Sequence, residues 1–142
     1  MERGEVMVRS VVERASAERA TTIAAGLYLA VLLVIAWWPT HVDRDLDIEN
    51  SWLVRGLTAL GMSAGSGYGL VEFTANIALF VPWGMGAARF LTGRWAVAVL
   101  SGVVATVLVE TVQWLVLAGR TASLGDVVAN SLGTAIGVAV VV

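Results

Sequence analysis

Four long apolar runs constrain this chain more than any other feature. Crossing the hydrocarbon of a bilayer as a helix takes about 20 apolar residues, within a range of about 17–25. Four segments qualify. They are Thr21–Trp38, "TTIAAGLYLAVLLVIAWW", which carries no charge, then Gly69–Ala88, Trp95–Leu117 and Asp126–Val142. The sequence is 58% hydrophobic and 14% charged, where an ordinary soluble domain is about 45–50% apolar. The expected fold class is therefore all-α, an integral membrane bundle of four transmembrane helices. The first run is longer than a signal-peptide core and no A-x-A site follows it, so it reads as a retained helix.

Arginines near span ends set the expected orientation. Arg3, Arg9, Arg14, Arg19, Arg89 and Arg94 fall on one side, and Arg44, Arg55 and Arg120 on the other. Six against three places both termini in the cytoplasm. Two domains follow from this reading: a cytoplasmic N-terminal amphipathic segment, residues 1–20, and a four-helix membrane domain, residues 21–142. In the first, Glu5–Arg9, Arg9–Glu13 and Arg14–Glu18 pair at helical spacing. Val8, Val11, Val12 and Ala15 form a weak apolar stripe suited to a membrane surface. In the outer loop, Leu53, Leu57, Leu60 and Ala64 recur at helical spacing beside Trp52, which predicts a short interfacial helix. "GMSAGSGYG" then reads as a flexible turn into the second span.

Several function classes drop out. Net charge is −2 and the chain has no lysine, so no nucleic-acid partner is indicated. It has no cysteine, hence no disulfide, thiolate metal site or cysteine nucleophile. The lone His41 reads as a solvated loop residue. Asp43, Asp45 and Asp47 resemble the start of a calcium loop, but the sixth position is Ile48 and the twelfth Val54, where glycine and glutamate are needed. No metal and no cofactor are expected.

Ionisable groups inside a span cost about 2.5–3.5 kcal/mol each on insertion scales. Yet three spans carry a carboxylate and an amide one turn apart: Glu72 with Asn76, Glu110 with Gln113, and Asp126 with Asn130. Counting about 1.5 Å of rise per residue from the cytoplasmic ends puts Glu72, Glu110 and Asp126 roughly 24, 22 and 24 Å up. All three fall in the outer leaflet, with Asn76 and Asn130 one turn deeper and Gln113 one turn higher. Gly102, Thr106, Glu110 and Gln113 share one helix face. Asp126, Asn130, Gly133 and Gly137 share another. Gly133-x-x-x-Gly137 is a spacing that lets helices approach closely. The polar groups are thus expected to point at one another inside the bundle.

Each of these residues also has a plain structural reading. Ser123-x-x-Asp126 is a capping box, in which the serine accepts from the third helical amide and the carboxylate reaches back. Asn76 and Asn130 can be interhelical glue, at about 0.6 kcal/mol per bond. Pro82, followed by Gly84 and Gly86, can bend the second span. Arg120 can fold back to pair with Asp126 or Glu110. Taken together the set is harder to explain as architecture, because three acids face one arginine. Either an acid is protonated or a cation or polar ligand enters. The candidate ligand-binding residues are Glu72, Asn76, Glu110, Gln113, Arg120, Asp126 and Asn130. Pro82, Gly84, Ser123, Gly133 and Gly137 are assigned structural roles.

The residues also carry a family pattern. "NIALFVPWG" (Asn76 to Gly84) looks like N-x-x-x-F-x-P-x-G, "ETVQ" (Glu110 to Gln113) like E-x-x-Q, and "GRTASLGDVVANSLGTAIG" like R-x-x-D-x-x-D-x-x-x-N-x-x-G. In that order and placement, over roughly residues 39–142, the chain resembles the VanZ-like family of small bacterial membrane proteins. Where the family commonly has an acid three residues after the arginine, this chain has Ser123. The resemblance implies a bacterial plasma-membrane protein. It also implies a connection with resistance to the glycopeptide teicoplanin, to which the founding member is linked.

Three functions compete on the sequence. One is a non-enzymatic protein whose outer-leaflet polar pocket binds or protects an envelope component: a lipid-linked cell-wall precursor, an anionic headgroup held by Arg120, or a glycopeptide. The second is an intramembrane enzyme using two carboxylates as acid and base on a lipid-linked substrate. The third is an ion-coupled transporter, for which nothing comparable lines the cytoplasmic half. A scaffold is the least specific alternative. Membrane lipids are the expected partners, and the glycine stripes leave a homo-oligomer open.

Overall fold

The computed structural model describes the backbone of residues 2–37, 48–117 and 123–142. Arg120, His41 and the acidic stretch from Asp43 to Asp47 lie outside the described residues. So do the side chains of Glu5, Val8, Arg9, Val11 and Val12 in the expected amphipathic segment. Five α-helices form: α1 (Glu2–Trp37), α2 (Trp52–Ala59), α3 (Ala64–Phe90), α4 (Trp95–Val116) and α5 (Leu124–Val141), with a single 3-10 turn at Ile48–Asn50 before α2. Four helices are long and apolar enough to cross a membrane, through Glu13–Ile35 of α1 and the whole of α3, α4 and α5.

The chain divides into two compact units, residues 1–38 and 39–142. The first is α1 alone. Its helix continues through the junction expected near residue 20 without a break. Nothing in "ASAERATTIAA" can stop it, since no proline or glycine occurs there. The surface segment and the first span are therefore one element.

In the second unit, α2 begins at Ser51, whose Oγ accepts the Val54 N–H at 3.3 Å. The short helix exists as expected. Val54 is buried and Leu57 half-buried, while Leu53 and Leu60 are exposed. Ala64 already belongs to α3. The expected stripe is never completed, because α2 ends at Ala59 and Gly61 turns the chain at φ +95°, a conformation that favours glycine. Gly67 of α3 supplies the notch: a Cβ there would sit 3.4 Å from Val54 Cγ1 and 3.5 Å from Leu57 Cβ. The expected nine-residue turn "GMSAGSGYG" also shortens. Ser63 caps α3 by accepting the Ser66 N–H at 3.1 Å, so "AGSGYG" is helical.

Helices α3 and α5 run parallel, and α4 runs antiparallel to both. Their interior is small or polar and their exterior is large and apolar. On α4, Ala98, Gly102, Thr106 and Glu110 recur every fourth residue and are buried, while Val97, Leu100, Val104, Val107 and Leu108 are exposed. That inversion suits lipid, where close backbone approach and hydrogen bonds drive association. Gly84, Gly133 and Gly137 hold α3 against α5. A Cβ on any of them would overlap a backbone carbonyl of the facing helix, at Thr134, Ile77 and Val81 respectively. Pro82 does not end α3, which runs on to Phe90 with Pro82 on its exposed side. Exposed Trp95 and Trp114 sit at the two ends of α4, roughly 28 Å apart along the axis. That matches a hydrocarbon core of about 30 Å with an aromatic belt at each interface. At the Trp95 end, Ala88, Ala98 and Val138 form a tight apolar cluster.

Candidate functional site

The polar residues converge where α5 begins. Ser123 caps that helix as the sequence predicts, its Oγ accepting the Asp126 N–H at 3.2 Å. The second half of the capping box is replaced. The Ser123 N–H donates to Glu110 Oε2 of α4 at 2.8 Å. Asp126 instead accepts, at Oδ1, a hydrogen bond of 2.9 Å from Asn76 Nδ2 of α3. Antiparallel packing brings Glu110 opposite the start of α5, and the glycine contacts bring α3 close enough for Asn76 to reach across. The start of α5 is thus fastened by both neighbours.

One turn deeper, Asn130 Nδ2 donates to Thr106 Oγ1 of α4 at 2.9 Å, with both residues buried. Asn130 Oδ1 is fully shielded and meets no hydrogen-bond partner among the described residues. A further turn down, Thr134 Oγ1 donates to the Asn130 carbonyl at 2.9 Å. Thr134 fills the space that Gly102 leaves on α4. Between α3 and α4, Trp83 Nε1 donates to Ser101 Oγ at 3.2 Å, and Ser101 Oγ donates to the Ala98 carbonyl at 2.7 Å. Below this lies the Ala88–Ala98–Val138 cluster. Polar groups therefore descend through the bundle from one end and stop at apolar packing.

Six of the seven residues singled out by sequence have described places, and four of them, Asn76, Glu110, Asp126 and Asn130, make the contacts of this column. Glu110 and Asn130 are buried, and Asn76, Asp126 and Gln113 are half-buried. Glu72 is half-buried too, but it lies one turn, about 6 Å, nearer the start of α3 than Asn76. Arg120 lies outside the described residues. Asn76, expected one turn below Asp126, is the residue that bonds it. The register of α3 against α5 is set by the Gly84, Gly133 and Gly137 contacts. Thr134, Ser101 and Trp83 were missed as members of the polar set. Thr134 continues the Asp126–Asn130 stripe by four residues, which was the available signal. Trp83 in "VPWG" gives no such signal, because a tryptophan in a span reads equally well as lipid-facing.

Chemically, the column is rich in acceptors. The only charged side chains on α4 and α5 are Glu110 and Asp126. Among the described residues no three histidine, cysteine, aspartate or glutamate side chains gather to hold a metal.

No curated protein and no solved structure gives a significant match to the chain. The VanZ/LLP1 family model matches residues 25–142. The match reaches further toward the N-terminus than the motifs do, into α1. It also takes in the three motif segments, two of which meet through the Asn76–Asp126 bond and two through the Glu110–Ser123 bond. Matched over most of its length, the chain belongs to the VanZ/LLP1 family of membrane proteins.

Proposed function

We propose that this protein binds the polar part of a cell-envelope component at the end of the α3–α5 bundle where α5 begins, and that this end faces the outer leaflet of a bacterial plasma membrane. The observation that carries the reading is the blind polar column. Side chains of three helices supply hydrogen-bonding groups from Glu110 and Asp126 down to Thr134, and the Ala88–Ala98–Val138 packing closes the far end. A column closed at one end suits recognition better than passage. The carboxylates are also engaged in positioning α5, which suits binding better than acid–base chemistry. Exposed Arg89 and Arg94 at the closed end support placing that end in the cytoplasm, with both termini on the same side.

The test is ligand binding by the lipid-reconstituted chain against envelope lipids, a lipid-linked cell-wall precursor and teicoplanin. Wild type is compared with Asp126→Ala and Arg120→Ala, and helix content is recorded for each. A ligand held by wild type and released by the folded variants supports recognition at this end. Binding that is unchanged in both variants, or no binding of any panel member to a folded wild type, would remove the reading.

A further inference from the structure

The ligand's chemistry can be narrowed, on the understanding that this rests on the envelope-binding reading above. A helix N-terminus ordinarily suits an anion, because its first N–H groups point outward. At α5 two of the N–H groups are already engaged by side chains of the chain itself. Ser123 Oγ takes the Asp126 N–H, and Glu110 takes the Ser123 N–H. The single charged side chain on each of α4 and α5 is an acid. An anionic group arriving here would meet carboxylates.

Asn130 gives an independent indication. It is 6% exposed, and its Oδ1 is buried without a partner. Leaving such an acceptor unsatisfied costs about 1–3 kcal/mol. Its amide nitrogen is tied to Thr106 of α4. Thr106 stands one turn below Glu110, and Asn130 one turn below Asp126, so Asn130 stands beneath the two acids on the facing stripes. What that oxygen accepts is a donor, and what the acids above it attract is positive charge.

We propose that the site takes a primary ammonium group, such as that of an amine-bearing lipid headgroup. A primary ammonium carries three N–H donors and a positive charge on one small atom. It can serve Asn130 Oδ1 and remain beside a carboxylate. A quaternary ammonium has the charge but no donor. The site therefore discriminates a phosphatidylethanolamine headgroup from its trimethylated phosphatidylcholine counterpart, although their phosphates are identical.

The full chain is reconstituted in phosphatidylglycerol nanodiscs and exchanged with phosphatidylethanolamine or phosphatidylcholine of the same acyl chains. The readout is the side-chain amide signal of isotope-labelled Asn130, distinguished from Asn50 and Asn76 by substitution. Phosphatidylethanolamine should shift it saturably and phosphatidylcholine should not. Asn130→Leu should weaken phosphatidylethanolamine retention about tenfold, the loss of one charge-assisted hydrogen bond. Asn130→Asp, which keeps an acceptor at that position, should retain it. Methylammonium should compete. If it saturates the site as fully as the lipid does, the source is a soluble amine and the assignment of an ammonium stands. An equal response to both lipids, competition by inorganic phosphate, or an Asn130 signal indifferent to lipid and amine, as with a bound water alone, overturns the proposal. Lipid binding that needs Asp126 but ignores N–H donors would leave envelope binding intact and remove only the ammonium.

Discussion

Gly133→Ala tests the α3–α5 contact most directly, because local and tertiary effects oppose each other. Within an isolated helix, alanine is favoured over glycine by about 1 kcal/mol. In the bundle, a Cβ at Gly133 would overlap the Ile77 carbonyl oxygen and lie 3.1 Å from Ile77 Cα. Those atoms are helix backbone and have no rotamer to escape into. The helices must part or tilt, and overpacking of this kind costs about 1–3 kcal/mol. Parting would also loosen Gly137, whose added Cβ would stand 3.0 Å from Gly84 Cα. The net expectation is a loss of up to about 2 kcal/mol. Gly86→Ala is the control, in the same bundle and with nothing within 4 Å of its Cβ. There only propensity operates, so stability should be unchanged or rise by up to about 1 kcal/mol. The assay is reversible unfolding in mixed micelles, followed by far-UV circular dichroism for wild type and the two variants. Of two chemically identical substitutions, only Gly133→Ala should lower the midpoint. If Gly133→Ala is as stable as Gly86→Ala, the backbones do not approach as described and the glycine argument is wrong.

Two further outcomes follow from the polar column. Thr106→Val removes the acceptor for Asn130 Nδ2 and should lower stability by roughly 0.6–1.7 kcal/mol, the range for interhelical bonds in membranes, whereas Thr106→Ser should restore most of it; equal stability of the two in the same unfolding assay would show that the bond carries nothing. Glu110→Gln keeps an oxygen for the Ser123 N–H and should be tolerated, whereas Glu110→Ala leaves that N–H without it and should cost about 1 kcal/mol, read as faster hydrogen exchange at the first turn of α5.

The spans were legible because each is an uninterrupted apolar run, and the inward faces of α4 and α5 were legible because small and polar residues repeat every fourth position. Gly102, Thr106 and Glu110 are buried as that spacing predicts. What the sequence could not convey was which side chains pair across the helices. Depth counted along separate helices placed Glu72 beside Asp126 and Asn76 one turn deeper, and it did not show that Asn76 is the residue whose side chain bonds Asp126. Apolar spacing did not single out Val54 at α2. Leu53, Leu57 and Leu60 keep helical period, yet the helix ends before the period is complete and Val54 turns inward. In a chain whose outer surface faces lipid, leucine does not mark the interior; glycine, threonine and asparagine do.

The exchange of partners at the start of α5 bears on how the cluster should be dissected. A local capping box would let α5 begin without help. Here Ser123 supplies one bond within the helix, and Glu110 of α4 supplies the other. Asp126 is left to receive Asn76 from α3. The start of α5 is therefore completed only when all three helices are in place, and substitutions at Glu110, Asn76 or Asp126 disturb assembly together with any ligand. Asn130 is different in one atom. Its nitrogen is committed to Thr106, and its oxygen is used by nothing in the packing. Replacing Asn130 by aspartate keeps an acceptor, whereas replacing it by leucine removes both ends. Comparing those two variants with Thr106→Val, which removes only the packing bond, separates what the fold needs from what a ligand needs. If all three variants change stability and binding in step, architecture accounts for the whole column. If Thr106→Val binds normally while Asn130→Leu does not, the unpaired oxygen belongs to the site.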